Sequence, residues 1–364
     1  MMTNKRIIIS GGGTGGHIFP AIAVADALKL RWPDVDLLFV GASNRMEMQK
    51  VPAAGYPIKG LWISGLQRRL TLKNLLFPLK LVVSLIQSYV VLLKFKPDFA
   101  LGTGGFASGP LLFAATQKNI PSLIQEQNAF PGITNKFLSK RVQLICVAHK
   151  DMTRFFPESK LVFTGNPIRK NLTEQIDSGQ SKQSYGFNPS VPVLLVVGGS
   201  LGSKRINELI HDKILFFKES NYQLLWQCGE LYCAQYSKYD NGANIRVVDF
   251  IKDMSSAYAA ADVIISRAGA LAVSELCLIA KPVIFIPSPN VAEDHQTKNA
   301  QSLVVEGAAL MIEEPKLEDE FERQFLNLIS DTEMQRNLSV NMKKLAKADA
   351  AERIVDEIEK LLTR

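Results

Sequence analysis

Residues 7–17 read IIISGGGTGGH: a β-branched run that breaks at once into five glycines and a histidine. A strand feeding glycines into a helix gathers main-chain N–H groups and the positive end of a helix dipole at one point. Glycines there permit close approach and positive φ, so an anion is the expected guest. His17 stands where the helix should begin. The dipole disfavours imidazolium at that place, which keeps the ring neutral and able to take a proton. A second role is open to it, that of a helix-start residue bonding the neighbouring loop.

Three more stretches share this character: Gly102-Thr103-Gly104-Gly105, Gly198-Gly199-Ser200 with Gly202, and Arg267-Ala268-Gly269-Ala270. All follow strand-like runs, at the ends where open α/β sheets bind ligands. Each alone is also explained as a tight βα turn. Four of them, two in each half of the chain, favour a shared interdomain cleft. Gly11, Gly13 and Gly16 have dinucleotide-loop spacing, but DLLFVGAS (36–43) ends without the acidic residue that would hold a ribose. No GKS or GKT follows a glycine loop, which removes the P-loop reading. Glu275, one turn into the helix after Gly269, suits a ribose diol, or it only complements the dipole. The amides of Asn128 and Gln296 suit neutral sugar hydroxyls, and His295 an orienting role.

The elements that must hold these residues come as two similar openings. RIIISGGGTGGHIFPAIAVADAL begins the first half and VPVLLVVGGSLGSKRINELI (191–210) the second. Each is strand, glycine loop, helix. Short apolar strands continue at 36–41, 97–105, 120–128 and 143–149, then at 223–229, 245–250, 261–269 and 281–287, with helical patterns between. That alternation predicts an α/β protein of two Rossmann-like, doubly wound parallel-sheet domains. The turn signal TGNP (164–167) sets expected domains at 1–165 and 166–344. The amphipathic end of the chain, about 345–364, is expected to pack back on the first domain.

The 364 residues are 47% hydrophobic and 21% charged, an ordinary globular balance, with a net charge of +7 that suits anionic partners. Four cysteines form no CxxC pair and no zinc spacing, and read as thiols of a reducing compartment. Three isoleucines after Lys5 and Arg6 are too few for a signal-peptide core. The run LVVSLIQSYVVLL (81–93) falls short of the roughly 20 residues that span a bilayer. A soluble or peripheral cytoplasmic protein is expected.

Taken in order, GGGTGGHIFPAIAVA, GTGGFASGP, QEQNAFPGITNK, TGNPIR, VVGGSLGS, DFIKDM, SRAGALAVSE and EDHQTKNA resemble the MurG family of peripheral membrane glycosyltransferases over nearly the whole chain. The resemblance implies a GT-B fold, its two domains facing across a cleft, and inverting transfer of N-acetylglucosamine from UDP-GlcNAc to lipid I. It implies no cofactor and no metal ligands, no nucleic-acid partner, and a place on the cytoplasmic face of the bacterial inner membrane. By motif, donor-site positions are Thr14, Gly15, Gly16, Asn128, Arg169, Ser200 and Ile251. Ala270, Leu271, Ala272, Val273, Ser274, Glu275 and Gln296 complete them. Gly102, Thr103, Gly104 and Gly105 are expected to face the acceptor pyrophosphate. Two departures stand out: Gln125 where the family often has histidine, and Ala268 where many members have serine.

His17 is then the expected base or orienting group, with Glu126 as second candidate. Helix ends, loop amides and Ser200 would meet the leaving diphosphate charge. Membrane attachment is expected from LQRRLTLKNLLFPLKLVV (66–83), where Arg68, Arg69, Lys73 and Lys80 interleave with Leu72, Leu75, Leu76, Phe77 and Leu79. An ordinary helix with an apolar core face and solvated lysines reads the same way. A diacylglycerol glycosyltransferase, a UDP-GlcNAc epimerase and a non-catalytic nucleotide-binding module are the competing functions.

Overall fold

The computed structural model describes residues 5–65, 76–168, 172, 176–291 and 294–363. The chain forms two compact units, Met1–Arg169 with Lys347–Arg364, and Lys170–Ala346. The division falls four residues beyond Gly165.

The first unit holds β1 (Arg6–Gly11), β2 (Asp36–Ala42), β3 (Ile58–Leu61), β4 (Phe99–Gly104), β5 (Ser122–Glu126), β6 (Leu144–Val147) and β7 (Leu161–Phe163). They make one sheet of order β3-β2-β1-β4-β5-β6-β7 with every pairing parallel. The helices between are α1 (Gly15–Arg31), α2 (Glu47–Ala53), α3 (Phe77–Phe95), α4 (Ser108–Gln117) and α5 (Ile133–Ser139). Ile7, Ile8 and Ile9 are fully buried, as an apolar strand covered on both faces must be. On α1, Ile18, Ala21, Val24, Ala25 and Leu28 recur at helical spacing and are buried.

The second unit repeats the design with β8 (Val193–Val197), β9 (Gln223–Gln227), β10 (Ile245–Val248), β11 (Val263–Ser266), β12 (Val283–Phe285) and β13 (Leu310–Met311). Their order is β10-β9-β8-β11-β12-β13, again all parallel. Its helices are α6 (Ser178–Ser184), α7 (Lys204–Asp212), α8 (Ile214–Glu219), α9 (Glu230–Tyr236), α10 (Met254–Ala260), α11 (Ala270–Ile279), α12 (His295–Val305), α13 (Leu317–Ser330) and α14 (Thr332–Lys344).

The last helix, α15 (Ala350–Leu362), belongs to the first unit. Ala351, Ile354, Val355 and Ile358 join the core of α1 and β1. Arg31 of α1 reaches Asp356 at 2.6 Å and Glu359 at 2.5 Å. These pairs are partly exposed and contribute little beside the apolar stripe.

In each sheet the strand order reverses once, between β1 and β4 and between β8 and β11. Those are the switch points at whose carboxyl ends ligands bind. The four glycine loops follow these four strands. At the first switch point a register shift sets Ser10 opposite Gly102 and Gly11 opposite Gly104, which leaves Thr103 as the extra residue. Gly105, at φ +91°, lies so close to the first loop that a Cβ would stand 2.2 Å from the Gly12 carbonyl oxygen.

Candidate functional site

At the β1/β4 switch point the His17 ring lies in the first turn of α1, half-buried. Its Nδ1 is 2.9 Å from the Gln127 amide oxygen. The Gln127 amide nitrogen donates to the Thr103 carbonyl at 2.8 Å and to the Gln125 side-chain oxygen. Gln125 donates in turn to Asn166 Oδ1 at 3.0 Å, and Asn166 returns a bond to the Gln127 carbonyl at 3.1 Å. All three amides are buried. Gln125, which replaces a frequent histidine of the resembled motif, therefore serves as one dipole in a closed amide circuit. His149 hydrogen-bonds the Gln127 backbone, and burial pushes its pKa down to about 4, so this ring is neutral near pH 7.

The first glycine loop departs from the simple anion-site expectation. The Glu47 carboxylate, fully buried at the start of α2, accepts from Gly13 N at 3.0 Å and Ala42 N at 2.9 Å. It lies against Gly12, where a Cβ would meet Glu47 Oε1 at 2.3 Å. The chain thus supplies its own anion to the Gly12–Gly13 part of the loop. Thr14, Gly15 and Gly16 form the start of α1, where Thr14 is the N-cap without a capping side-chain bond.

Glu126 is not placed to act as a base. Its buried carboxylate accepts from Asn128 N at 3.0 Å, Asn128 Nδ2 at 3.1 Å, Gly132 N at 3.1 Å and Asn135 Nδ2 at 2.8 Å. Four donors use its acceptor capacity and make it the organiser of the 127–135 loop. The Asn128 amide accordingly turns to Glu126. Thr103 is likewise structural: it is buried, and its hydroxyl donates to the His17 carbonyl at 2.7 Å. Gly102 is an interior residue of β4. Gly104, at φ +101°, leaves room for the imidazole, since a Cβ there would stand 2.9 Å from His17 Nδ1.

At the β8/β11 switch point a cavity of about 430 Å³ is lined by Gly198, Gly202, Ser203, Arg267, Gln296 and Glu314, among others. The structure thus brings the second-unit glycine loop and Gln296 together. Gln296 Oε1 accepts from Ser288 N at 2.9 Å, which anchors its amide at the strand end. Arg267 ties the wall together: it donates to the Ile286 carbonyl at 2.9 Å and to Ser203 Oγ, the N-cap of α7, and pairs with Glu314 at 2.6 Å. Burial lowers the pKa of Arg267 from its ordinary value, and Glu314 counteracts that shift.

The other described second-unit positions are not among the residues that line this cavity. Helix α11 starts at Ala270 with Gly269 as a cap that has no side chain. Leu271 and Ala272 are half-buried, Val273 is buried, and Ser274 Oγ donates to the Ala270 carbonyl at 3.0 Å. Glu275 is buried, where the Tyr258 hydroxyl donates to it at 3.1 Å. The Ile251 side chain belongs to the core, while its N–H is held by Gln227 Oε1 at 3.0 Å. Ser200 is exposed on the β8–α7 loop. Arg169 lies outside the described residues.

Two family models match the chain: the glycosyltransferase family 28 N-terminal domain over residues 7–147 and the C-terminal domain over 193–354. The chain belongs to glycosyltransferase family 28. Similar proteins include the UDP-N-acetylglucosamine--N-acetylmuramyl-(pentapeptide) pyrophosphoryl-undecaprenol N-acetylglucosamine transferase of Christiangramia forsetii. It is 52% identical, with 100% of this chain and 99% of the relative covered. The Flavobacterium psychrophilum protein of the same name is 50% identical over 99% of both chains. Among solved structures, Acinetobacter baumannii MurG is 29% identical with a TM-score of 0.77, covering 98% of this chain and 99% of its own. The two parallel-sheet domains are those of a GT-B glycosyltransferase.

In this family 28 chain the apolar run at 81–93 is part of a longer helix. α3 has 19 residues, long and apolar enough by length and composition to cross a membrane, with 17% of its apolar window buried. Its buried face carries Ser84, Ser88 and Leu92. Leu79, Val82, Ile86, Val90 and Leu93 recur at helical spacing on the exposed side. Of the expected membrane residues, Leu76 and Leu79 are exposed, whereas Phe77 packs on the core. Lys80 donates to Ser64 Oγ at 3.0 Å with its ammonium over the Trp62 ring. Arg68, Arg69, Leu72, Lys73 and Leu75 lie outside the described residues.

Glu47, Gln127, Arg267 and Glu314 are the site residues that sequence reasoning did not single out. Gln127 and Arg267 stood inside motifs already quoted. Glu47 and Glu314 carry no local signal.

Proposed function

We propose that this protein transfers N-acetylglucosamine from UDP-GlcNAc to the N-acetylmuramyl sugar of undecaprenyl-pyrophosphoryl-MurNAc-pentapeptide (lipid I), giving lipid II for peptidoglycan synthesis. The observation that carries this reading is identity of 52% and 50% to relatives bearing that activity in their names, sustained over essentially their full length. The acceptor hydroxyl loses its proton to His17 and forms a bond to the anomeric carbon. The bond from that carbon to the UDP oxygen breaks on the opposite face, which inverts the centre. Negative charge developing on UDP is met by the start of α11 and the glycine loop after β8. The cavity lined by Gln296 takes the donor, with Ser200 as a further contact. The acceptor pyrophosphate is met by the start of α1 at Thr14, Gly15 and Gly16, the part of the first switch point that Glu47 does not fill.

The lipid-linked acceptor requires a membrane surface, and the exposed face of α3 fits one. This helix packs on α4 with Ser84 and Ser88 buried, so the unit would lie on the anionic inner leaflet with its apolar stripe in the interface. The basic residues preceding α3 in sequence would strengthen that contact.

Incubation with UDP-GlcNAc, with and without a lipid I analogue, tests the assignment. UDP release and disaccharide product only with acceptor is the expected result. UDP release without acceptor would mark an epimerase, and binding without turnover a nucleotide-binding module. His17→Ala should lower turnover by about 10²–10⁴-fold. Full turnover in a folded His17→Ala protein removes His17 from the chemistry.

A further inference from the structure

We infer that Gln127 is a positioning residue that holds His17 in the tautomer protonated at Nδ1, so that Nε2 is the bare nitrogen facing the reaction. The inference rests on the reading of His17 as base and specifies which atom of the ring takes the proton.

Amide orientation decides the matter. One end of the Gln127 side chain faces three acceptors: the Thr103 carbonyl at 2.8 Å, the Gln125 carbonyl at 3.2 Å and the Gln125 side-chain oxygen. Only an NH₂ group fits that end, because an oxygen there would meet three other oxygens at hydrogen-bonding distance with no proton between them. The Gln125 orientation is fixed in the same way. Its nitrogen donates to Asn166 Oδ1, and the Asn166 nitrogen donates to the Gln127 carbonyl, which can only accept. The amide directions are therefore set around the circuit, and Gln127 Oε1 is left pointing at His17 Nδ1.

An amide oxygen has no proton to give, so the 2.9 Å contact exists only if Nδ1 carries the hydrogen. In a neutral imidazole Nε2 then keeps its lone pair, and among the described residues it has no hydrogen-bond partner. Among the described residues no carboxylate bonds to Nδ1. Glu47, on α2, is engaged by the Gly13 and Ala42 amides, and Glu126, at the end of β5, by the 128–135 segment. His149, beyond β6, is neutral. A buried, polarised chain of dipoles thus replaces the carboxylate that orients histidine in many hydrolases.

Long-range ¹⁵N–¹H correlation spectra of the full-length protein labelled in its four histidines read the tautomer directly. The His17 resonance is assigned by its loss in His17→Ala. The expected spectrum shows a protonated Nδ1 and a bare Nε2. In Gln127→Met, which keeps the length and loses the acceptor, the proton should move to Nε2. kcat should then fall by about 10-fold or more, with the KM for UDP-GlcNAc changed less than about twofold. A wild-type spectrum with Nε2 protonated overturns the inference even if the variant does not fold. An unchanged tautomer in a folded Gln127→Met protein also overturns it. If the spectra behave as expected while His17→Ala keeps full turnover, the tautomer assignment stands and the reading of His17 as base falls.

Discussion

Replacing Val82, Ile86 and Leu93 with serine strips three side chains from the outer face of α3, where they are 55%, 58% and 57% exposed. Full burial of such a side chain contributes about 1.5–3 kcal/mol, and roughly half of each still faces water in the free protein. Insertion into an interface would therefore gain about 1 kcal/mol per residue, or about 3 kcal/mol for the three. At 1.4 kcal/mol per decade this is about a 10²-fold loss of vesicle partitioning. Flotation with vesicles of phosphatidylglycerol and phosphatidylethanolamine measures it. The thermal midpoint serves as control, since exposed positions usually change stability by about 0.5 kcal/mol or less. Turnover of a water-soluble lipid I analogue should be preserved, because none of the three residues bonds to His17 or lines the cavity at the β8/β11 switch point. Unchanged partitioning of the folded triple variant would refute the assignment of this face to the membrane.

Other outcomes follow from the buried polar groups. Glu47→Ala leaves the Gly13 and Ala42 amides without their acceptor and should cost about 3 kcal/mol in urea unfolding, with Glu47→Gln less damaging. Arg267→Ala strands Glu314 and frees the Ser203 cap; we expect about 3 kcal/mol of lost stability and a UDP-GlcNAc KM that rises more than kcat falls. Because burial lowers the His149 pKa from 6.5 to about 4, the unfolded chain binds a proton that the native state refuses between those values. Stability should therefore decline as pH falls from about 6.5 toward about 4, and His149→Gln should flatten that slope in urea midpoints measured at pH 7 and 5.

Much of the architecture was legible in the chain because it is locally encoded. Apolar β-branched runs ending in glycine, alternating with helical patterns, specify parallel strands with crossovers. That logic led to two doubly wound sheets and to the loops at their switch points. The site was legible as a set of segments, not as a set of contacts. Glu126 was the second candidate for the base, yet the turn that follows folds back and its amides occupy the carboxylate. The apolar run at 81–93 looked too short for a bilayer, yet Phe77 and Pro78 start its helix earlier, and its buried face is Ser84, Ser88 and Leu92 while Leu79, Val82, Ile86, Val90 and Leu93 are exposed.

From residue types and spacing alone came the fold class, the four glycine loops and His17 at a helix start. Tertiary structure alone decided that Glu47 fills the first loop from 34 positions away, that Gln127 meets His17 across 110, and that Glu314 closes on Arg267. The physical reason is one of range. Dihedral preference and burial pattern act within a turn or a strand, whereas partners for buried polar groups are chosen by how strands align once the sheet has formed.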